Sequence, residues 1–196
     1  MPLVATLPHK GWILELHPPR TIITNMTDGL HLRSLDGTDP HEMAAAFSNI
    51  GWVKPVALFQ RYLAEQASGT RSCWVANLNN VFAGYITINW EPTYLEFAAQ
   101  RIPEIQDLNV LPPFRRKSIG TSLLDQAEAE VACHSDVVGI GMGLHPGYND
   151  AHRLYVKRGY IPDGRGVTYR DRYLREGEQV VLDDDFLLHL VKRIRP

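Results

Sequence analysis

The sequence predicts an α/β fold, with strands and amphipathic helices interleaved along the chain, and three stretches carry that expectation. Ser72 to Asn77 and Val81 to Trp90 flank an Asn79-Asn80 pair, the pattern of two strands joined by a tight turn. Ile105 to Thr121 reads as a short apolar strand, a turn closed by Pro112 and Pro113, and a basic loop opening into an amphipathic helix from Ser122 to Val131. Tyr148 to Tyr160 places Ala151, Leu154, Tyr155 and Arg158 on one helical face, with Gly159 where a helix stops.

Composition bounds the rest. A chain of 196 residues, 44% apolar and with net charge −2, reads as one ordinary globular domain with a sizeable core. It is not basic enough for a nucleic-acid binder. No run reaches the length of a membrane span, and the start lacks a secretory pattern, so the expected location is the cytoplasm. Cys73 and Cys133 form no metal or redox spacing and read as reduced thiols. The eight histidines contain no His-x-x-x-His pair, and no metal is expected.

In chain order, residues 1–28 form an N-terminal extension. Gly11 to Leu16 and Thr21 to Thr24 are able to pair as a hairpin, which reads as an addition to the sheet, a homodimer contact or a cover for the core edge. Gly29 to Leu35 alternates as a first strand of the main domain, 29–196. Asp39-Pro40-His41-Glu42 predicts a helix start with Asp39 as N-cap, proline at N1 and Glu42 at N3; that helix ends near Gly51. A second helix, about Pro55 to Ala67, buries Leu58, Tyr62 and Leu63 and stops before Gly69. Glu91 to Pro103 is an insertion with aromatics at Tyr94 and Phe97, either a functional loop or a cover over the sheet. Val137 to Leu144 alternates so that three glycines share one face, which suggests close approach of a ligand or backbone, or tight packing of a helix. Two last strands follow, around a polar loop ending in Asp183-Asp184-Asp185; that acidic run is either solvated or an attractor for a cationic substrate.

The basic loop is the centre of the reading. The first amides of a helix have no intrahelical partner, and the dipole adds roughly 0.3–1 kcal/mol in favour of an anion there. Arg115, Arg116 and Lys117 supply charge immediately before them. The Walker pattern fails, because Arg116 and Leu111 stand where its glycines belong, and Gly139 to Gly143 lacks the spaced third glycine of a dinucleotide fingerprint and lies inside a strand pattern rather than after one. Arg115-Arg116-Lys117-Ser118-Ile119-Gly120 instead resembles the Arg/Gln-x-x-Gly-x-Gly/Ala loop of the GNAT superfamily of N-acetyltransferases. Tyr148 to Tyr160 resembles the family's Asn-x-x-Ala-x-x-Leu-Tyr-x-Lys-x-Gly-Phe/Tyr segment and falls after the loop, as the family plan requires.

The resemblance runs from about Gly29 to the C-terminus. It implies a mixed, mostly antiparallel central sheet with helices on both faces and a splay between the family's fourth and fifth strands. It also implies acetyl transfer from acetyl coenzyme A to a primary amine by direct attack in a ternary complex. Leu108, Asn109 and Val110 would offer backbone groups to the pantetheine arm, Arg115 to Thr121 (with Ser118, Ile119 and Gly120 between) would hold the pyrophosphate, and Tyr155 matches the tyrosine that protonates the leaving thiolate. Three departures stand out. Ser118 replaces a glycine. Asn149 lies one place late for the family's cofactor-binding asparagine. Gln106 stands where many small-amine members carry Glu, leaving Asp107 or Glu104 as the base.

The chemistry makes its own demands. An alkyl amine with a pKa near 10.4 is cationic at neutral pH, and freeing its lone pair costs about 4–5 kcal/mol. A general base or a water chain offsets part of that. The expected acceptor is a small-molecule amine; the alternatives are a protein N-terminus or lysine, and a non-catalytic acetyl coenzyme A sensor.

Overall fold

The computed structural model describes residues 23–24 and 29–195. The expected hairpin strand at Gly11 to Leu16 lies outside the described residues. Of its partner, Ile23–Thr24 is described as a short strand, β1, paired antiparallel with His31 and Leu32.

After β1 come β2 (Leu30–Ser34), α1 (Asp39–Ser48), α2 (Val56–Ser68), β3 (Arg71–Leu78) and β4 (Val81–Asn89). The chain continues through α3 (Leu95–Gln100), β5 (Glu104–Val110), α4 (Ile119–Ala132), β6 (Val137–Gly143) and α5 (Asn149–Lys157). It ends with β7 (Ile161–Tyr169), β8 (Arg172–Tyr173) and β9 (Phe186–Arg193). The described strands form one sheet in the order β1-β2-β3-β4-β5-β6-β9-β7-β8, with every pairing antiparallel except β5 with β6. That parallel pair registers only at Glu104–Gly139 and Ile105–Ile140. Beyond Ile105 the two strands part, which is the expected splay.

Two cores cover the two faces. On one, Leu123, Leu124, Ala127 and Val131 of α4 and Tyr155 of α5 pack on Leu30, Ile86, Ile88, Ile105 and Ile140. On the other, Met43 and Phe47 of α1 and Phe59 and Tyr62 of α2 pack on Val75, Phe82 and Tyr85. Each such large side chain contributes about 1.5–3 kcal/mol by leaving water. The Asn79-Asn80 turn forms as expected, both residues in the left-handed region at φ 52° and 63°. Gly69, at φ 80°, ends α2.

One expectation is corrected, and two that were left open are decided. Thr38, not Asp39, precedes α1 as its cap residue. The Asp39 carboxylate instead receives the Arg33 guanidinium and the Asp36 amide, tying α1 to the end of β2. The Glu91–Pro103 insertion folds as α3, burying Tyr94, Phe97 and Ile102. Its Phe97 ring fills the space over Gly139, and Tyr148 fills that over Gly143, so side-chain packing accounts for two of the three glycines. Among the described residues no helix is long and apolar enough to cross a membrane.

Candidate active site

The site is built around a bulge in β5. Tyr85 pairs with Asn109 and Thr87 with Gln106, so β5 carries one more residue than β4 across this interval. Asp107 takes a left-handed φ of 55° to accommodate it. Opposite, a Cβ on Gly84 would come within 2.4 Å of the Asn109 carbonyl oxygen, so only glycine lets β4 approach this closely. Consecutive residues on a regular strand point to opposite faces. Here Gln106 and Asp107 both turn toward α2: Gln106 meets Arg71, whose guanidinium lies 4.6 Å from the Tyr62 ring, and Asp107 meets Tyr62 itself.

Four side chains donate to the Asp107 carboxylate. Lys54 Nζ and Asn109 Nδ2 reach Oδ1 at 2.8 and 2.9 Å, and the Tyr62 and Tyr85 hydroxyls share Oδ2. Burial pushes this carboxyl up, but the Lys54 ammonium and the two phenols outweigh it and hold it below the usual range. Lys54 also stands 5.6 Å from the Phe47 and Tyr85 ring centres, so the α1–α2 connection is drawn over the bulge.

Glu104 is the opposite case. It is 3% exposed, and burial raises it to about 7 despite the Gln106 amide, Arg71 and the Gly141 amide, which favour its charged form. The Gln106 amide donates to Glu104 Oε2 at 2.8 Å, and its oxygen accepts from Arg71 at 3.1 Å. Arg71 also binds Thr87 and Glu65. Gln106 thus bridges a cation and a carboxyl, a connection that a Glu at this place would make as a second anion.

Past the bulge the chain turns through Pro112–Phe114 into the basic loop. Arg116 and Ser118 alternate into the left-handed region at φ 62° and 60°, and α4 starts at Ile119. The Ser118 side chain makes no capping hydrogen bond, so no side chain of that residue competes for the first amides of α4. Arg115, Arg116 and Lys117 are exposed. Arg115 anchors to the Val110 carbonyl at 3.2 Å and lies 5.5 Å from the Trp52 ring. Leu108 to Val110 lie past the point where β5 and β6 part and lead through Leu111 into the Pro112–Phe114 turn.

Tyr155 is 6% exposed at the centre of the α4-side core. Burial and the charge of Asp107 push its phenol up, so it stays protonated. No side chain among the described residues hydrogen-bonds its hydroxyl. Asn149, which opens α5, is exposed, while Tyr148 beside it is packed into the site and lies close enough to Tyr155, Asp107 and Asp184 to feel their charges. The acidic run belongs to the fold: Asp183 accepts from Tyr169, Asp184 pairs with His145 and Asp185 with Arg170. The Asp184 contact fastens the polar loop to the β6–α5 turn, and the other two hold it to the end of β7.

A family model described as the acetyltransferase (GNAT) family matches residues 38–160. The chain belongs to the acetyltransferase (GNAT) family. The match takes in the bulge, the basic loop, α4 and α5, and the fold of this GNAT chain agrees with solved structures. It resembles yncA from Salmonella typhimurium, solved with its cofactor acetyl-CoA, at TM-score 0.60 and 18% identity over 85% of this chain and 94% of that one. It resembles spermidine N-acetyltransferase from Vibrio cholerae, solved with CoA and spermine, at TM-score 0.59 and 13% identity over 85% and 96% of the two chains. At these identities the likeness shows the fold. A curated relative, the aminoalkylphosphonate N-acetyltransferase of Salmonella typhimurium, is 40% identical over 63 residues, which span 32% of this chain and 40% of that protein.

The structure therefore gathers Asp107, Glu104 and the β5 backbone at one end of the splay and the Arg115–Thr121 loop just beyond. Sequence reasoning missed Lys54, Tyr62, Tyr85 and Arg71, which come from four separate segments and carry no spacing signal. It also missed the bulge; the one hint was Gly84 inside an otherwise apolar strand.

Proposed function

We propose that this protein moves an acetyl group from acetyl coenzyme A to a primary amine of a small molecule by direct attack within a ternary complex. One observation carries the reading: the α4 amides, preceded by exposed cations and a backbone already in alternating left-handed turns, open directly beyond a splayed, bulged β5. Such a concave run of amides suits a diphosphate. Bound there, acetyl coenzyme A would supply an activated thioester.

The chain's own groups divide the remaining tasks. Arg115, Arg116, Lys117 and the amides of Ser118 to Thr121 hold the diphosphate, and Leu108, Asn109 and Val110 align the arm through their backbone. Glu104, near 7, is the base; a carboxyl at that value takes a proton far more readily than Asp107, which its four donors keep ionised. Asp107 fixes the bulge and the α1–α2 connection. Tyr155, protonated and buried, donates to the departing thiolate. Asn149, exposed on the first turn of α5, lies at the margin of the coenzyme site. Support for a small amine comes from the names of two relatives, which act on an aminoalkylphosphonate and on spermidine. The free thiol of buried Cys73 supports a cytoplasmic location for the reaction.

A panel of amines with acetyl coenzyme A, read by free thiol release, tests this. Turnover on small primary amines is expected. Turnover on peptide N-termini or lysines alone would move the acceptor to proteins. Tight coenzyme binding without turnover on any amine would make the domain a sensor.

A further inference from the structure

Gly141 lies between β5 and β9 in the sheet, and two titratable side chains converge on it. A Cβ there would stand 3.1 Å from Glu104 Oε1, 3.3 Å from Leu187 Cδ1 and 3.7 Å from His189 Nε2. His189 is fully buried at 0% exposure. Its ring stacks on Tyr94 with centres 3.6 Å apart and meets Phe97 edge-on at 5.4 Å. Nδ1 lies 3.5 Å from Thr168 Oγ1, whereas Nε2 has no hydrogen-bond partner among the described residues. An orphaned imidazole nitrogen in a core is costly, and a phenyl ring would fill the same stack without it. Glu104 Oε2 is taken by Gln106, and Oε1 is the oxygen turned toward Gly141 and His189.

We propose that His189 is a positioning residue for the proton-accepting carboxylate, its Nε2–H directed at Glu104 Oε1 across the bare face of Gly141. The proposal rests on the assignment of Glu104 as base. In this arrangement the Thr168 hydroxyl is assigned as the donor to Nδ1, which leaves the proton on Nε2. A donor aimed at a carboxylate favours its charged form. Burial lowers His189 and keeps it neutral, against the pull of Asp163 on β7 and Asp171 in the β7–β8 turn. On Glu104, burial and Asp171 act against ionisation, while Gln106, Arg71 from β3 and the Gly141 amide act for it. His189 adds a further contribution in the favourable direction.

The test uses the full chain and three variants. His189→Phe keeps the aromatic stack and removes the donor. His189→Gln returns a donor near the place of Nε2. Gly141→Ala puts a methyl between the two groups. The readouts are the low-pH limb of kcat/KM and the carboxyl titration of Glu104 followed by carbon NMR without substrates. His189→Phe and Gly141→Ala are expected to raise both midpoints by about one pH unit, a roughly tenfold loss of rate at pH 6 with none at pH 9. His189→Gln should stay within about 0.3 units of wild type. Midpoints unmoved in the Phe and Ala variants, or a Gln variant displaced as far as Phe, overturn the proposal. If wild type releases no thiol with any amine, the base assignment fails, and the carboxyl titration alone still decides whether His189 and Glu104 are coupled.

Discussion

Replacing Asp107 by Asn removes the charge on which the bulge is centred while keeping the side chain's size. Three donors from α2, β4 and the α1–α2 connection, together with Asn109, point at its two oxygens. An amide offers one acceptor and turns an NH2 group toward donors. Hydrogen bonds to charged groups contribute about 1.5–3 kcal/mol each, but these share partners and are not additive. With the Lys54 and Asp107 side chains 20% and 22% exposed, water also screens the ion pair. A net loss of about 2–4 kcal/mol follows, or roughly 5–15 °C in melting temperature for a domain of this size. The folded Asp107 carboxyl is held below its ordinary value, so its stabilisation is present above the unfolded pKa and disappears as pH falls through the folded one. The gap between wild type and Asp107→Asn should therefore be full at pH 7 and close below about pH 4, measured by thermal melts across pH. A variant melting within about 2 °C of wild type at pH 7 would refute the claim that this carboxylate organises the bulge.

Other consequences concern single groups. Tyr155→Phe should leave coenzyme affinity unchanged and lower kcat by about a hundredfold, as expected for loss of a general acid; single-turnover kinetics would show it. Glu104→Gln should abolish the rise of kcat/KM through about pH 7, where the wild-type carboxyl ionises, with a loss of about a hundredfold or more on the plateau. Ser118→Gly relieves a left-handed serine but adds freedom to the unfolded chain, so equilibrium denaturation should show a gain of only roughly 0.5 kcal/mol.

The sequence displayed those parts of the fold that local chemistry decides. The Asn79-Asn80 turn, the stop at Gly69 and the basic loop opening α4 each follow from a few adjacent residues; the first two appear where expected, and α4 begins at Ile119, ahead of the expected Ser122. Asp39 misled because a capping signature says nothing of an arginine six residues earlier that competes for the same carboxylate. The glycine face of β6 left two readings open, because an absent side chain is filled as readily by Phe97 or Tyr148 as by a ligand. The site was half legible. Its loop, Tyr155 and Glu104 lie in recognisable stretches, whereas the bulge turns Gln106 and Asp107 to the same face, and no periodicity rule anticipates that. His189 was invisible for a simpler reason: a lone histidine in an apolar strand usually signals packing.

The account depends on the loop beyond Pro113 holding a diphosphate. Titration calorimetry of coenzyme A against wild type and an Arg116→Ala/Lys117→Ala variant measures this directly. Exothermic binding by wild type, weakened at least roughly tenfold in the variant and less sensitive to salt there, is the outcome required. No heat with wild type, or equal affinity in the two proteins, would contradict it.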